Sequence, residues 1–374
     1  MDVIIAYFID LVAGDPYWLP HPVRFIGWLV KKYEGLLRSI IGDKLAAVSQ
    51  SHQGGRFPMT HSDNPSAKVG TRSINGAEMS KTAETTGFKE AFEKIAGRRR
   101  IAGGILMLAV TATTFLAAFL ILKIAWLIHP IAYHIVNIYL IYTALATKCL
   151  AVEAGKVHEA LATSDLAEAR KRVGMLVGRE TEHLNEGEIT RAVIETTAEN
   201  TVDGIVSPLF YAIIGTFFGL GAPLAYAFKA ISTLDSMVGY MNDKYVDFGR
   251  VSARTDDAAN FIPARLSGLL IPFSALLCGL NMKKSFAIMK RDRRNHKSPN
   301  CAYPEAAFAG ALGIRLGGTN IYFGRPVEKP TIGDPDKEAA TEDIKKSVRL
   351  MYASSFVSLL LFTGVAVVVF LVLL

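Results

Sequence analysis

Cysteine is scarce in this chain. Its 374 residues hold three, Cys149, Cys278 and Cys301, far apart and in no CxxC pair, so neither a disulfide framework nor a zinc site is encoded. No nucleic-acid-binding motif accompanies the formal net charge of +7, and the excess cations fall in short clusters beside apolar stretches, not in one basic tail. The start lacks the basic region of a secretory signal: Met1-Asp2 opens it and Asp10 interrupts the first apolar run, so no cleaved leader is expected. No Gly-Lys-Ser/Thr follows a glycine-rich loop, which excludes a Walker loop. The two halves show no inverted repeat.

Apolar residues are abundant. Hydrophobic residues make up 51% of the chain and the mean hydropathy is +0.28, values that point to lipid as part of the solvent, while 20% charged residues leave room for aqueous segments. Residues 101–128, preceded by Arg98-Arg99-Arg100, are nearly all apolar and long enough to cross about 30 Å of hydrocarbon at about 1.5 Å per residue. After His129-Pro130 a second stretch covers 131–151, and a third, 351–374, follows Lys345-Lys346 and Arg349. Basic flanks orient such spans with their positive ends in the cytoplasm, so the expected location is the cell membrane, multi-pass.

Two further apolar stretches are irregular. Pro208, Gly215, Gly219, Gly221 and Pro223 interrupt 205–230, and Pro263 and Pro272 interrupt 261–282. Such breaks survive at membrane depth only against protein or a watery cavity, which predicts broken or re-entrant helices around a polar site. If 205–230 simply crossed, the polar clusters on either side of it would lie on opposite faces of the bilayer. The expected fold is therefore all-α and polytopic, with cytosolic helical connections. Four parts are expected: 1–45, a helical segment; 46–94, a polar flexible insertion in which His52 and His61 are solvated; 95–334, the membrane-embedded core; and 335–374, a linker with the last span. Within 152–178, Asp165 and Glu168 have capping-box spacing.

Chemistry concentrates between Glu180 and Asp257. In EITRAVIETTAENTVDG, Glu195, Glu199 and Asp203 recur every four residues, so a helix stacks three carboxylates on one face. Like charges at that spacing need a cation, and magnesium suits oxygen ligands; Asn200 adds an amide and Arg191 can pair with Glu195. On an isolated helix in water this face would be ordinary solvated charge. It leads instead into the apolar stretch at Ile205, where an unpaired carboxylate costs several kcal/mol. A second acidic group comprises Asp235, Asp243, Asp247, Asp256 and Asp257, interleaved with Lys229, Lys244, Arg250, Arg254 and Arg265. Further on, Arg294, His296, Lys297, Arg315 and Arg325 are candidates for anionic groups, and Gly317-Gly318-Thr319 could offer backbone N–H groups to a phosphate. Near the start, Asp15, His21 and Arg24 lie among turn-forming residues, with Trp18 and Trp28 suited to an interface.

Four passages carry a family resemblance: GDPYWLPHPVRFIG, LVGRETEHLNEGEITRAVIETTAENTVDGIVSPLFY, KAISTLDSMVGYMNDKYVDFGRVSARTDDAANFIPARL and RRDRRNHKSPNCAYPEAAFAGALGIRLGG. In this order they resemble the membrane-bound adenosylcobinamide-phosphate synthases of cobalamin biosynthesis, over the chain from its N-terminus to about residue 334. The 46–94 segment departs from that pattern. The resemblance implies an ATP-dependent ligase that joins the free propionate carboxyl of adenosylcobyric acid to the amine of aminopropanol or its O-phosphate. Its partners would be that corrinoid, that amine, the lipid bilayer and other membrane enzymes of cobalamin assembly, with no nucleic acid. On this reading Glu195, Glu199 and Asp203 hold Mg2+, with Asp256 and Asp257 as alternative ligands, and ATP is co-substrate. Lys229, Arg254, Arg294 and Arg315 would neutralise phosphate charge, and Asp235 or His21 would be the base. Arg191, Asn200, His296, Arg325, Asp15 and Arg24 complete the substrate-binding set. Two other classes fit parts of the pattern. The Asp243-x-x-x-Asp247 spacing with Asp256-Asp257 suits a magnesium-dependent intramembrane prenyltransferase, and broken helices suit a transporter or sensor.

Overall fold

The computed structural model describes residues 1–14, 21–43, 77–322 and 324–373, with side chains 77–92 and those of Tyr322 and Arg325 left out of the description. Asp15, Trp18, His52 and His61 therefore lie outside the described residues, as does the side chain of Arg325. The described chain is almost entirely helical. Its helices are α1 Asp2–Ala13, α2 Pro22–Ile40, α3 Ala77–Ile128, α4 Pro130–Ala144, α5 Thr147–Ala162, α6 Leu166–Gly174, α7 Glu186–Thr201, α8 Ser207–Thr216, α9 Gly221–Val238, α10 Arg250–Ala259, α11 Phe261–Leu277, α12 Met282–Asp292, α13 Ala302–Leu312 and α14 Glu342–Leu373, with a π-helical turn Val202–Val206 between α7 and α8. One antiparallel hairpin, β1 Leu316–Tyr322 and β2 Arg325–Ile332, is the exception.

Two compact units divide the chain. The first contains Met1–Gly27, Thr111–Thr233 and Arg254–Leu374; the second contains Trp28–Val110 and Leu234–Ala253. Segments Glu93–Ile128, Pro130–Ala162 and Glu342–Leu373 are long and apolar enough to cross a bilayer, and a bent pair, Arg250–Ala259 with Phe261–Leu277, is a fourth candidate at a 46° break. The chain is a multi-pass, all-α membrane protein, as its composition indicates.

Among the described residues the stretch 205–230 is not a candidate span. α7, the π turn and α8 form one helical run that ends at Thr216, and the chain then turns back into α9. Leu220 N–H donates to Gly215 O at 2.7 Å, Gly219 adopts φ +66°, and a Cβ on Gly215 would stand 2.4 Å from the Leu220 carbonyl oxygen. The returning helix packs on the outgoing one, Tyr211 stacking on Phe228 at 5.2 Å between ring centroids. Proline explains the π turn. Pro208 has no N–H for the Gly204 carbonyl four residues back; Ala146 N–H donates to that carbonyl instead, at 3.1 Å.

Three expectations need correction. Residues 77–94 are helical, not part of a structureless insertion: AEMSKTAETTGFKEAFEK is rich in helix formers and runs directly into the span. The second irregular stretch breaks at Asn260, not at its prolines. Pro263 sits in the first turn of α11, where a missing N–H is tolerated, and Pro272 lies inside a continuous helix. The β-hairpin was not expected at all. Gly324, at φ +71°, supplies its two-residue turn, and a bulge at Leu316/Gly318 places Gly317 and Gly318 at φ +80° and +90°.

Candidate functional site

The site is built on α7. Asn185 caps it with a full capping box, its side chain accepting from Glu188 N–H at 2.9 Å while Glu188 accepts from Asn185 N–H at 2.8 Å. From that fixed start Glu195 and Glu199 fall on one face, in the first unit, where residues of the 296–301 turn, α13 and the hairpin meet them.

Glu195 is committed. Arg179 Nη1 lies 2.8 Å from one carboxylate oxygen, the two side chains being 6% and 10% exposed, and Gly317 N–H donates to the other oxygen at 2.8 Å. Arg179 also donates to Asn320 Oδ1 at 2.7 Å, which ties α7 to β1. The expected Arg191–Glu195 pair does not form. Arg191 faces Glu188 at 4.0 Å and the Gly317 carbonyl at 3.4 Å, because the buried Arg179 reaches Glu195 from outside the helix. The Gly317 N–H, expected to face a phosphate, is taken by Glu195.

Glu199, one turn on, accepts from Cys301 Sγ at 3.2 Å. Glu305, one turn along α13 from Cys301, is 5% exposed. Burial, then the charges of Glu195 and Glu199, push the Glu305 carboxyl well above the usual carboxylate range, so the protonated form is favoured. Burial and the Glu199, Glu305 and Asp203 charges likewise push the Cys301 thiol well up. Carboxylates are thus in excess here.

His296 enters from the other side. Burial holds its imidazole below the usual histidine range, Lys329 adds to that effect, and Glu199 and Glu195 oppose it. Ser298 N–H donates to Nδ1 at 3.0 Å, so the proton of the neutral ring sits on Nε2, which makes no hydrogen bond to another described residue. The turn itself is clasped by the second acidic group: Ser298 Oγ donates to Asp257 Oδ1 at 2.9 Å and Asn300 Nδ2 to the Asp257 carbonyl at 2.8 Å. Asn260, at the α10/α11 break, accepts from Ser207 Oγ at 2.6 Å and donates to Asp256 at 3.1 Å. Glu199 and Asp257 therefore bracket one short turn.

Other expected residues stand elsewhere. Arg24, Arg254, Arg294 and Arg315 are exposed, and Lys229 is half-buried. Asn200 spends its amide on Thr196 of its own helix. His21 caps α2, its Nδ1 accepting Val23 N–H at 3.3 Å, and Asp235 belongs to the second unit. There Asp247 is paired with Arg100 at 2.8 Å while Asp243 is exposed, so the two carboxylates of the Asp243-x-x-x-Asp247 spacing are not held alike.

Among the described residues no three His, Cys, Asp or Glu side chains converge as a ready-made metal site. The donor chemistry still suits magnesium, which keeps several waters and needs only one or two carboxylates. Glu199 and Asp203, beside a Glu305 and a Cys301 raised first by burial and then by neighbouring carboxylates, fit that demand; Glu195, occupied by Arg179 and Gly317, does not fit as a direct ligand without leaving them. The sequence reading missed Arg179, Cys301, Glu305 and Lys329. Glu305 had a signal: a lone acid in AYPEAAFAGAL, an otherwise apolar helix.

No solved structure matches this chain. Curated relatives named cobalamin biosynthesis protein CobD align at 43% identity in Clostridium tetani, over 97% of this chain and 96% of the relative, and at 43% in Klebsiella pneumoniae, over 96% and 95%. One named cobalamin biosynthesis protein CbiB, from Salmonella choleraesuis, aligns at 41% over 96% of this chain and 94% of its own length. The family described as CobD/Cbib protein matches residues 79–351, and with near full-length relatives above 40% identity the chain belongs to that family.

Proposed function

We propose that this chain acts in cobalamin biosynthesis as an ATP-dependent ligase, joining the propionate carboxyl of adenosylcobyric acid to the amine of aminopropanol or its O-phosphate. The role in cobalamin biosynthesis rests on family membership. The ligation rests on the observation that Glu199, His296 and Asp257, drawn from three of the passages that carry the resemblance, meet in one partly buried site.

Each group has work to do in such a reaction. Glu199 and Asp203 would hold magnesium, which when bound screens the phosphate charge of ATP. Arg179, fixed by Glu195 and Asn320, keeps α7 and the hairpin in register so that Glu199 is presented at a constant angle. His296, neutral with its proton on Nε2, is a donor; it suits an oxygen of the carboxyl as that oxygen gains charge. The same tautomer reasoning applies to His21, whose Nδ1 is already accepting, which speaks against it as the base that takes the ammonium proton. Exposed Arg294 and Arg315, with half-buried Lys229, supply cations for phosphate groups.

ATP consumption by the purified protein, with the corrinoid and the amine omitted in turn, tests the reading. Consumption that needs both supports it, and consumption indifferent to the corrinoid removes it. Glu199→Gln, in protein that still folds, should lower turnover about 10²-fold or more; wild-type turnover would take Glu199 out of the mechanism.

A further inference from the structure

In the second unit, residues 28–40 of α2 turn Leu29, Val30 and Arg38 inward, all buried. Outward, Trp28, Lys32, Leu36 and Ile40 follow one i, i+4 row, with Lys31 exposed alongside. Trp28, Leu36 and Ile40 are 50%, 59% and 70% exposed, and the Lys32 ammonium lies 4.7 Å from the centroid of the Trp28 ring. This segment cannot cross a membrane. The 19 residues of α2 include Arg24, Lys31, Lys32, Glu34 and Arg38, too many charges for a span, and the inner face carries Glu34 and Arg38, bonded at 2.9 Å.

Its depth is fixed by ion pairs to the first span. Arg99 and Arg100 stand immediately before Ile101, where the apolar run of that span begins. Arg99 donates to Asp43, three residues past the end of α2, at 2.7 Å, and Asp43 also pairs with Arg38 at 2.6 Å. Arg100 pairs with Asp247, and Arg38 donates to the Lys244 carbonyl at 3.0 Å with its guanidinium 4.2 Å from the Phe248 ring centroid. The end of α2 and the 244–248 segment are therefore held where the span leaves hydrocarbon. Tyr240, Met241 and Val246 are also exposed there.

We propose that residues 28–40 lie in the plane of the membrane surface as an amphipathic helix, with Trp28, Leu36 and Ile40 in the boundary between headgroups and acyl chains and Lys31 and Lys32 on anionic headgroups. The chemistry of the outer face matches that occupant: an apolar row with lysines beside it gains from both acyl burial and negative lipid, and the basic flank of the span belongs to the cytoplasmic, anionic leaflet. Such a helix sets the height of the second unit on the bilayer. The inference is independent of the ligase reading.

Trp18→Phe with Trp126→Phe leaves Trp28 as the sole tryptophan of three. The full-length protein, one copy per nanodisc of equal parts phosphatidylcholine and phosphatidylglycerol, would carry lipid brominated either near the carbonyl end or near the methyl end of the chain. Strong quenching by the shallow bromines, weak quenching by the deep ones and protection from aqueous iodide are expected. Adding Lys31→Gln and Lys32→Gln should weaken that protection in the mixed lipid and leave it unchanged in phosphatidylcholine alone. Full iodide quenching with no response to either bromine would place the face in water and overturn the proposal. Protection that appears only with several copies per disc would assign the face to chain–chain contact and overturn it equally. Should the double tryptophan variant fail to fold, the difference between wild type and Trp28→Phe yields the same contribution of Trp28.

Discussion

Replacing Arg179 by methionine keeps most of the volume of the side chain and removes its charge, which leaves Glu195 buried with only the Gly317 N–H for company. At 2.8 Å the pair attracts by about 6 kcal/mol if the effective dielectric constant is about 20. Desolvation of both ions offsets part of that, and breaking such a pair from one side typically destabilises by about 3–5 kcal/mol. Here the residual carboxylate also faces Glu199 and Glu305 with less positive charge to balance it, which places the expected loss toward the upper end. Glu195→Gln added to Arg179→Met removes the stranded charge, so the double variant should recover much of the loss. Thermal-unfolding midpoints of the three proteins in one detergent should rank wild type first, the double variant next and Arg179→Met last. A double variant no more stable than Arg179→Met would mean the two charges are not coupled, and the account of Glu195 as a committed residue would fail.

Other outcomes follow from the same site. The folded-state pKa of Glu305 lies above its usual 4.5, so its proton contributes stability that is fully present below that value and is lost as pH rises through the elevated one. Wild type should therefore lose stability relative to Glu305→Gln as pH rises, and parallel stability–pH curves would contradict this. His296→Gln, which keeps a side-chain N–H donor, should retain more turnover than His296→Ala; equal losses would remove the donor role. Gly215→Ala brings a Cβ to 2.4 Å from the Leu220 carbonyl oxygen and should destabilise by about 1–3 kcal/mol, read as a lower unfolding midpoint. An unchanged midpoint would show that the α8–α9 turn is looser than described.

Much of the architecture is legible in composition because lipid imposes a coarse rule: long apolar runs with basic flanks become spans, and 101–128, 131–151 and the described part of 351–374 each fall within a helix or helix pair of spanning length. Pro208 and the glycines after it announced an interruption in the same way. Proline position misled in the second stretch, since a proline in the first turn of a helix breaks nothing and Asn260 carries the bend. The face of Glu195 and Glu199 followed from helical periodicity, but their partners did not. Arg179, Cys301, Glu305 and Lys329 are brought in by tertiary packing from segments far along the chain, and no local period encodes such meetings. Arg191 was the natural partner for Glu195 by spacing alone; a buried arginine outside the helix displaced it. The hairpin went unseen because its strands carry glycine and proline and lack the alternation that marks a half-buried sheet.

The central claim is that this chain makes an amide bond on a corrinoid. Purified protein in detergent or nanodiscs, given magnesium-ATP, adenosylcobyric acid and either aminopropanol or its O-phosphate, should convert the corrinoid to a product heavier by the amine less one water, and only when ATP is present. A corrinoid unchanged in mass with both amines, from protein whose folding has been verified, would contradict the account.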